Sequence, residues 1–229
     1  MKKIIIAIDS FKGCLTSAEA GKAAEKGIKS INPSCHTSVI PIADGGEGLL
    51  DVLITATKGK YITLSAHGPL MKMAKTHYGL SGNGRTAIIE MAAISGLPLV
   101  PIEQRNPMRT TTFGTGELIK DALNKGCRNF IIGIGGSATN DAGLGMLQAL
   151  GFRFLDKSGH TLGTGGQIME AVANIDTSGI HPALRETHFM VACDVANPFY
   201  GPDGAAYIFA QHKGADSNMV HRLVEGMQS

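Results

Sequence analysis

Short apolar runs that end at an acidic residue recur along this chain and constrain its fold more than any other feature. Ile4 to Ile8 is a continuous apolar run that stops at Asp9, and a shorter run, Met190 to Cys193, stops at Asp194. A run without alternation is typical of a parallel strand that is covered on both faces. The pattern therefore predicts an α/β protein whose polar groups collect at the carboxyl ends of its strands.

The first 60 residues follow the order of a strand–helix–strand unit. Thr16 to Glu19 has the pattern of a capping box, and the alanine-rich stretch after it predicts a helix to about Lys29. A second strand is predicted from Ser38 to Ile42. Because a helix connects the two strands, they are expected to be parallel.

The pattern changes between about Tyr61 and Met91, where apolar and polar residues alternate. Turn signals at residues 67–69 and 81–84 divide this stretch, which predicts antiparallel hairpins. Further on, helices are predicted at 116–125 and 144–150, with a strand at 129–134 between them. We expect a domain boundary near residue 60, dividing the chain into residues 1–60 and 61–229.

Composition excludes several classes of protein. The 229 residues carry a formal net charge of only +2 without a block of like charges, so no nucleic acid partner is expected. The 4 cysteines form no C-x-x-C pair, which excludes a zinc ribbon and a redox dithiol. No apolar run approaches the roughly 18 residues of a membrane helix, so we expect a cytoplasmic protein without a membrane partner.

Two segments combine acidic residues with glycines. Asp9-Ser10-Phe11-Lys12-Gly13 places a carboxylate and an ammonium group directly after the first strand, where they could bind an anionic substrate; a salt-bridged loop is the alternative. Asp44 and Glu47 flank a glycine pair ahead of a helix predicted from 49 to 57. Their carboxylates could hold Mg²⁺, which prefers hard oxygen ligands, and a solvated capping loop is the alternative.

Gly133 to Gly143 is a third candidate, because its small residues connect a strand to a helix. Backbone N–H groups in such a loop can approach phosphate oxygens. The loop matches neither the Walker sequence, nor G-x-G-x-x-G, nor the G-x-S-x-G elbow, so a plain tight turn stays open. Arg105 precedes a hydroxyl-rich stretch and could grip a carboxylate, although a capped helix start is the commoner reading of such a stretch.

Five ordered motifs, taken together, resemble the type-1 glycerate kinase family of bacteria. They are DSFKG at 9–13, ADGGEG at 43–48, TTTFGTGEL at 110–118, GIGGSATND at 133–141, and CDVANP at 193–198 with QHKGA at 211–215. The resemblance covers nearly the whole chain. It departs from the family pattern at Ile8 (proline in the family), at Ala142 (glycine), and at Gln211-His212-Lys213 (Gln-Lys).

The resemblance implies ATP-dependent phosphorylation of D-glycerate, with 2-phosphoglycerate as the favoured product and with ATP and Mg²⁺ required. The implied α/β fold is a partial Rossmann-like parallel α/β domain plus a second mixed α/β domain with antiparallel hairpins, and the active cleft lies between them. Family members continue into a Gly/Ala-rich segment and an ITGEGR-like segment that this sequence lacks. We therefore expect the C-terminal remainder of the Rossmann-like domain to be absent from this chain.

Several residues fall on the polar motif positions of the family, and we infer their roles from chemistry. The catalytic candidates are Asp9, Lys12 and Asp194; the substrate-binding candidates are Ser10 and Arg105; the nucleotide-binding candidates are Gly135, Gly136, Ser137, Thr139, Asn140 and Asp141; the metal ligands are Asp44 and Glu47. A non-catalytic binding module is the alternative function. A dehydrogenase is disfavoured because no dinucleotide fingerprint is in register, and the sequence does not indicate an oligomeric state.

Overall fold

The structure is a computed structural model that describes residues 3–11 and 13–228. Its strands are β1 (Lys3–Ile6), β2 (His36–Val39), β3 (Lys60–His67), β4 (Met73–Leu80), β5 (Thr86–Glu90), β6 (Asn129–Gly133), β7 (Arg153–Leu155), β8 (Asn174–Asp176) and β9 (His188–Ala192). Its α-helices are α1 (Ser17–Ile31), α2 (Leu49–Thr57), α3 (Ala92–Ser95), α4 (Phe113–Asn124), α5 (Leu144–Ala149), α6 (Ala205–Phe209) and α7 (Ser217–Gln228).

The strands form one large sheet and two strand pairs. β1 and β2 pair in parallel, as predicted, and β7 pairs with β8 in an antiparallel ladder. The five-stranded sheet has the order β3-β4-β5-β6-β9; its first three strands are antiparallel, whereas β5, β6 and β9 are mutually parallel. The predicted α/β class, with a parallel region and antiparallel hairpins, is therefore confirmed. The carboxyl ends of β5, β6 and β9 meet at one edge of the sheet.

Local signals gave the right start of α1. The Thr16 hydroxyl accepts the backbone N–H of Glu19, and the Glu19 carboxylate accepts the backbone N–H of Thr16, so the capping box is present. β2 begins two residues before the predicted strand and ends three residues earlier.

The expectation that β1 is covered on both faces is wrong. Ile6 is buried, but Ile5 is 61% exposed. The reason is that, in the part of the chain that the structure describes, β1 pairs only with β2, and α1 packs on one face of this pair, where Gly21 lies against Val39. The continuous apolar run at β1 therefore forms a strand that is buried on one face only.

Helices cover both faces of the five-stranded sheet. On one face α4 contributes Leu118 and Ile119 to a core that includes Ile89 of β5. On the other face Leu50 and Ile54 of α2 pack against Ile88, as expected for neighbouring strand residues that point to opposite faces. The boundary near residue 60 stays a prediction, but α2 lies before that boundary and packs on a sheet formed after it. No helix in the described ranges is both long and apolar enough to cross a membrane.

Candidate functional site

One hydroxyl group bridges, by hydrogen bonds, the two segments that follow the parallel strands β1 and β2. Ser17 Oγ donates a hydrogen bond to the carbonyl oxygen of Ile8 at 2.6 Å and accepts the backbone N–H of Ile42 at 3.0 Å. Asp9 follows the first of these residues and Asp44 follows the second by two positions. The two acidic motifs therefore leave the strand pair side by side.

The ADGGEG loop then lies against the carboxyl edge of the large sheet. Gly45 has φ +95°, and a Cβ atom on it would lie 2.8 Å from the carbonyl carbon of Ala192 at the end of β9. A Cβ atom on Gly135 would likewise lie 2.8 Å from Cα of Gly46. This close approach tolerates only glycine, and it brings the segments of Asp44 and Asp194 into contact.

A cleft of about 420 Å³ opens between residues 10–19 and the start of α2. Its lining includes Ser10, Glu47 and Glu90, so two of the proposed site residues share one concave surface. Asp9 is half-buried beside the cleft, where its Oδ1 accepts the backbone N–H of Ser10 at 2.6 Å. Lys12 lies outside the described residues.

The glycine loop divides into an accessible part and a buried part. Gly135, Gly136 and Ser137 are accessible, whereas Thr139 and Asn140 are each only 6% exposed. Oδ1 of Asn140 is buried without a hydrogen-bond partner among the described residues. The ammonium group of Lys213 stabilises the loop by donating hydrogen bonds to Ser137 Oγ at 3.0 Å and to the carbonyl oxygen of Thr139 at 2.6 Å.

Asp141, near the end of the glycine loop, is buried. It is 1% exposed, and its Oδ2 accepts hydrogen bonds from the backbone N–H groups of Thr112 and Gly145, at the starts of α4 and α5. This geometry favours a supporting role over direct nucleotide contact.

Arg105 does not belong to the cleft lining that contains Ser10. Its Nε donates a long hydrogen bond, 3.5 Å, to the carbonyl oxygen of Val100, and its own carbonyl oxygen closely approaches Gly214. Arg105 therefore lies beside the segment of Lys213, which contacts the glycine loop, and not in the cleft wall with Ser10.

Comparison with known proteins agrees with this arrangement. The model of the glycerate kinase family matches residues 4–229. The chain belongs to this family. It is 52% identical to a glycerate kinase of Bacillus subtilis (strain 168) and 48% identical to the glycerate 2-kinase of Escherichia coli (strain K12), and each alignment covers 96% of this chain and 58% of the relative.

A solved structure shares the fold as well as the sequence. The crystal structure of a protein from Salmonella typhimurium LT2, assigned as glycerate kinase 2, superposes with a TM-score of 0.89 at 47% identity. The match covers 99% of this chain and 61% of that one. The chain thus spans less than two thirds of the length of these members of the glycerate kinase family.

One departure from the family pattern has a structural consequence. Ala142 adopts φ +51°, the left-handed region that glycine favours, directly before the Gly143 cap of α5. The resemblance predicts glycine at position 142, and a glycine there would adopt this backbone conformation without strain.

Two charged residues at the site escaped the sequence reasoning. Glu90 ends the apolar run Ala87 to Ile89, as Asp9 ends the first run, but the alternation around it predicts hairpins, to which the rule for parallel strands does not apply. Lys213 lies inside a family motif and had no assigned role, because nothing in the local sequence indicates that it reaches Ser137.

Proposed function

We propose that this chain supports ATP-dependent phosphorylation of D-glycerate in the cytoplasm, with 2-phosphoglycerate as the favoured product. The observation that carries the proposal is the meeting of three family motifs at the edge of the sheet, where Gly45 and Gly46 contact Ala192 and Gly135. A kinase family implies a nucleotide substrate, and the similarity to glycerate kinases supports glycerate as the acceptor.

Phosphoryl transfer requires positioning and charge neutralisation more than covalent chemistry. The hydroxyl oxygen of glycerate attacks the γ-phosphorus, the bond to the β,γ-bridging oxygen breaks, and ADP leaves. Asp194 or Asp9 accepts the hydroxyl proton in this proposal, and Lys12 steadies the substrate carboxylate or the moving phosphoryl group. Ser10 and Arg105 bind the substrate in this proposal, although Arg105 lies against Gly214 and does not line the cleft with Ser10.

Asp44 and Glu47 are the proposed ligands of Mg²⁺. Among the described residues, no group of three or more His, Cys, Asp or Glu side chains is arranged to hold a metal ion. A pair of carboxylates nevertheless fits Mg²⁺, which keeps several waters and commonly takes its remaining ligands from substrate phosphates. Bound there, the ion would neutralise charge on the transferring phosphoryl group.

The accessible N–H groups of Gly135, Gly136 and Ser137 are the proposed triphosphate site. Thr139, Asn140 and Asp141 are buried, so we assign them to the support of the loop. This refines their predicted role, in which all six residues contacted nucleotide.

A coupled kinase assay with D-glycerate, beside calorimetry with ATP–Mg²⁺ and with D-glycerate, tests the proposal on the 229-residue chain. Turnover that depends on both substrates supports a kinase. Binding of both ligands without product supports the non-catalytic module instead, and binding of neither contradicts both functions. A change in nicotinamide fluorescence on mixing with NADH would favour the dehydrogenase.

Lys213 makes nucleotide affinity dependent on pH in this proposal. Burial lowers the pKa of Lys213 to about 8, against the opposing field of Asp141. The side chain is positively charged below this pH and becomes neutral above it. We therefore expect the Kd of a non-hydrolysable ATP analogue to rise about 10-fold between pH 7.5 and 9.5, measured by calorimetry at saturating Mg²⁺.

Lys213→Met provides the control for that measurement. Because methionine has no charge to lose, its Kd is expected to be high and flat across the same range. An equal slope in Lys213→Met and the parent chain would show that another group titrates.

A further inference from the structure

Helix α2 begins without a capping side chain of its own. Its N-cap residue is Gly48, with φ +95°, which offers no oxygen to the free N–H groups of the first turn. The acceptor comes from another element: the backbone N–H of Leu50 donates to Oε1 of Glu90 at 2.7 Å. A residue 40 positions away, at the carboxyl end of β5, therefore caps this helix.

Burying the ionised carboxylate of Glu90 in this position costs free energy of desolvation. Burial raises the pKa of Glu90, whereas hydrogen bonds from the N–H groups of Leu50 and Gly48 favour its ionised form. The positive end of the α2 dipole also favours an anion at this position. The helix start and the carboxylate thus stabilise each other, and Glu90 forms part of the cleft wall together with Ser10 and Glu47.

The residues on either side of this contact belong to the ADGGEG loop. Glu47 comes directly before the cap residue, and Gly45 and Gly46 lie against the ends of β9 and β6. The loop is therefore held at the glycine pair by backbone packing and at its far end by Glu90. Without the second attachment, the first turn of α2 loses its capping acceptor, and the position of Glu47 is no longer set.

We propose that Glu90 is a positioning residue, which fixes the first turn of α2 and thereby holds Glu47 in place at the cleft. The inference rests on the proposed function only in taking Asp44 and Glu47 as the Mg²⁺ ligands. Glu90 itself contacts neither substrate nor metal in this proposal.

Hydrogen exchange of the amides in residues 46–52 directly tests whether Glu90 holds the first turn of α2, without any need for turnover. In Glu90→Ala we expect these amides to exchange at least about 10-fold faster, since the capping acceptor is lost. Glu90→Gln keeps an acceptor oxygen and should stay close to the parent chain. If Glu90→Ala does not fold, Glu90→Asp, which is shorter by one methylene, takes its place.

Titration of Mn²⁺ by electron paramagnetic resonance, with a non-hydrolysable ATP analogue present, tests whether the hydrogen bond between Glu90 and Leu50 also positions the metal ligand Glu47. Loss of an outer partner typically weakens metal binding 10–100-fold, so we expect at least about a 10-fold weaker Kd for Mn²⁺ in Glu90→Ala, with recovery in Glu90→Gln. Asp121→Ala is the matched control, because it removes the α4 carboxylate that accepts a hydrogen bond from the Tyr78 hydroxyl on β4, and it should lower thermal stability without changing either readout.

The exchange and the Mn²⁺ measurements test different parts of the proposal. Unchanged amide exchange of residues 46–52 in Glu90→Ala contradicts the proposal that Glu90 fixes the first turn of α2. Faster exchange with unchanged Mn²⁺ affinity reduces Glu90 to a stabilising cap and overturns the positioning role. If Asp44→Asn and Glu47→Gln bind Mn²⁺ as the parent chain does, the metal assignment fails, whereas the exchange measurement still decides whether Glu90 holds α2.

Discussion

Replacing Asp141 with alanine is expected to lower the free energy of unfolding by about 3–5 kcal/mol, because buried donors would lose their acceptor. Oδ2 of Asp141 accepts from the backbone N–H of Thr112 at 2.8 Å, from its hydroxyl at 2.9 Å and from the N–H of Gly145 at 3.3 Å. Oδ1 accepts the N–H of Gly143 at 3.2 Å. Neither α4 nor α5 has a side-chain cap from its own N-cap residue, so one carboxylate serves both helix starts.

Urea denaturation of Asp141→Ala, followed by circular dichroism, measures this loss. Asp156→Ala is the matched control: Asp156 also accepts two backbone N–H groups, from Ser158 and His160, but in an exposed turn where water can replace it. The control should therefore lose much less stability. A shift in midpoint no larger than that of the control would contradict the structural role of Asp141.

For catalysis, the largest expected effect is that of Asp194→Asn, which should lower kcat/KM for D-glycerate at least about 10²-fold, the size expected when a transition-state contact is removed. Asp194 is exposed at the end of β9, beside the contact between Gly45 and Ala192. Its loss should therefore leave the midpoint of unfolding unchanged, in contrast to the loss of Asp141. The coupled assay measures the first quantity, and thermal denaturation measures the second.

Asp203→Asn is the control for that experiment, since Asp203 is exposed in the same connection between β9 and α6. Comparison with Asp9→Asn distinguishes the two candidate bases, because the true base is the one whose loss lowers kcat more. Lys12→Ala is expected to lose a similar factor from its place in the DSFKG motif. If Lys12→Ala and Asp194→Asn both kept nearly full kcat/KM, the catalytic assignment would be wrong.

Local patterns predicted much of the fold. The capping box at Thr16, the turn signals of the β3–β4–β5 meander and the helix from Leu49 to Thr57 are all present in the structure. These features depend on hydrogen bonds and side-chain periods within a few residues, which a single sequence contains. The motif order was equally visible, and it was sufficient to predict the family.

The burial of particular residues was not predictable in the same way. The apolar run at Ile5 indicated a strand but not the number of its covered faces, because that depends on which elements pack on β1. The glycine loop indicated an anion site, yet only the structure separates its accessible residues, such as Ser137, from the buried Asn140.

The sequence by itself therefore determined the elements that flank the motifs, their order, and the acidic and glycine-rich segments at the strand ends, whereas the short strands β7 and β8 carried no local signal. The tertiary structure decided what those segments touch: Glu90 caps α2 across 40 positions, and Lys213 reaches Ser137 across 76. Such contacts arise from strand pairing and helix packing over the whole chain, and no short-range pattern specifies them. A charged residue at a strand end can become a cap, a support or a ligand, and its neighbours in space determine which.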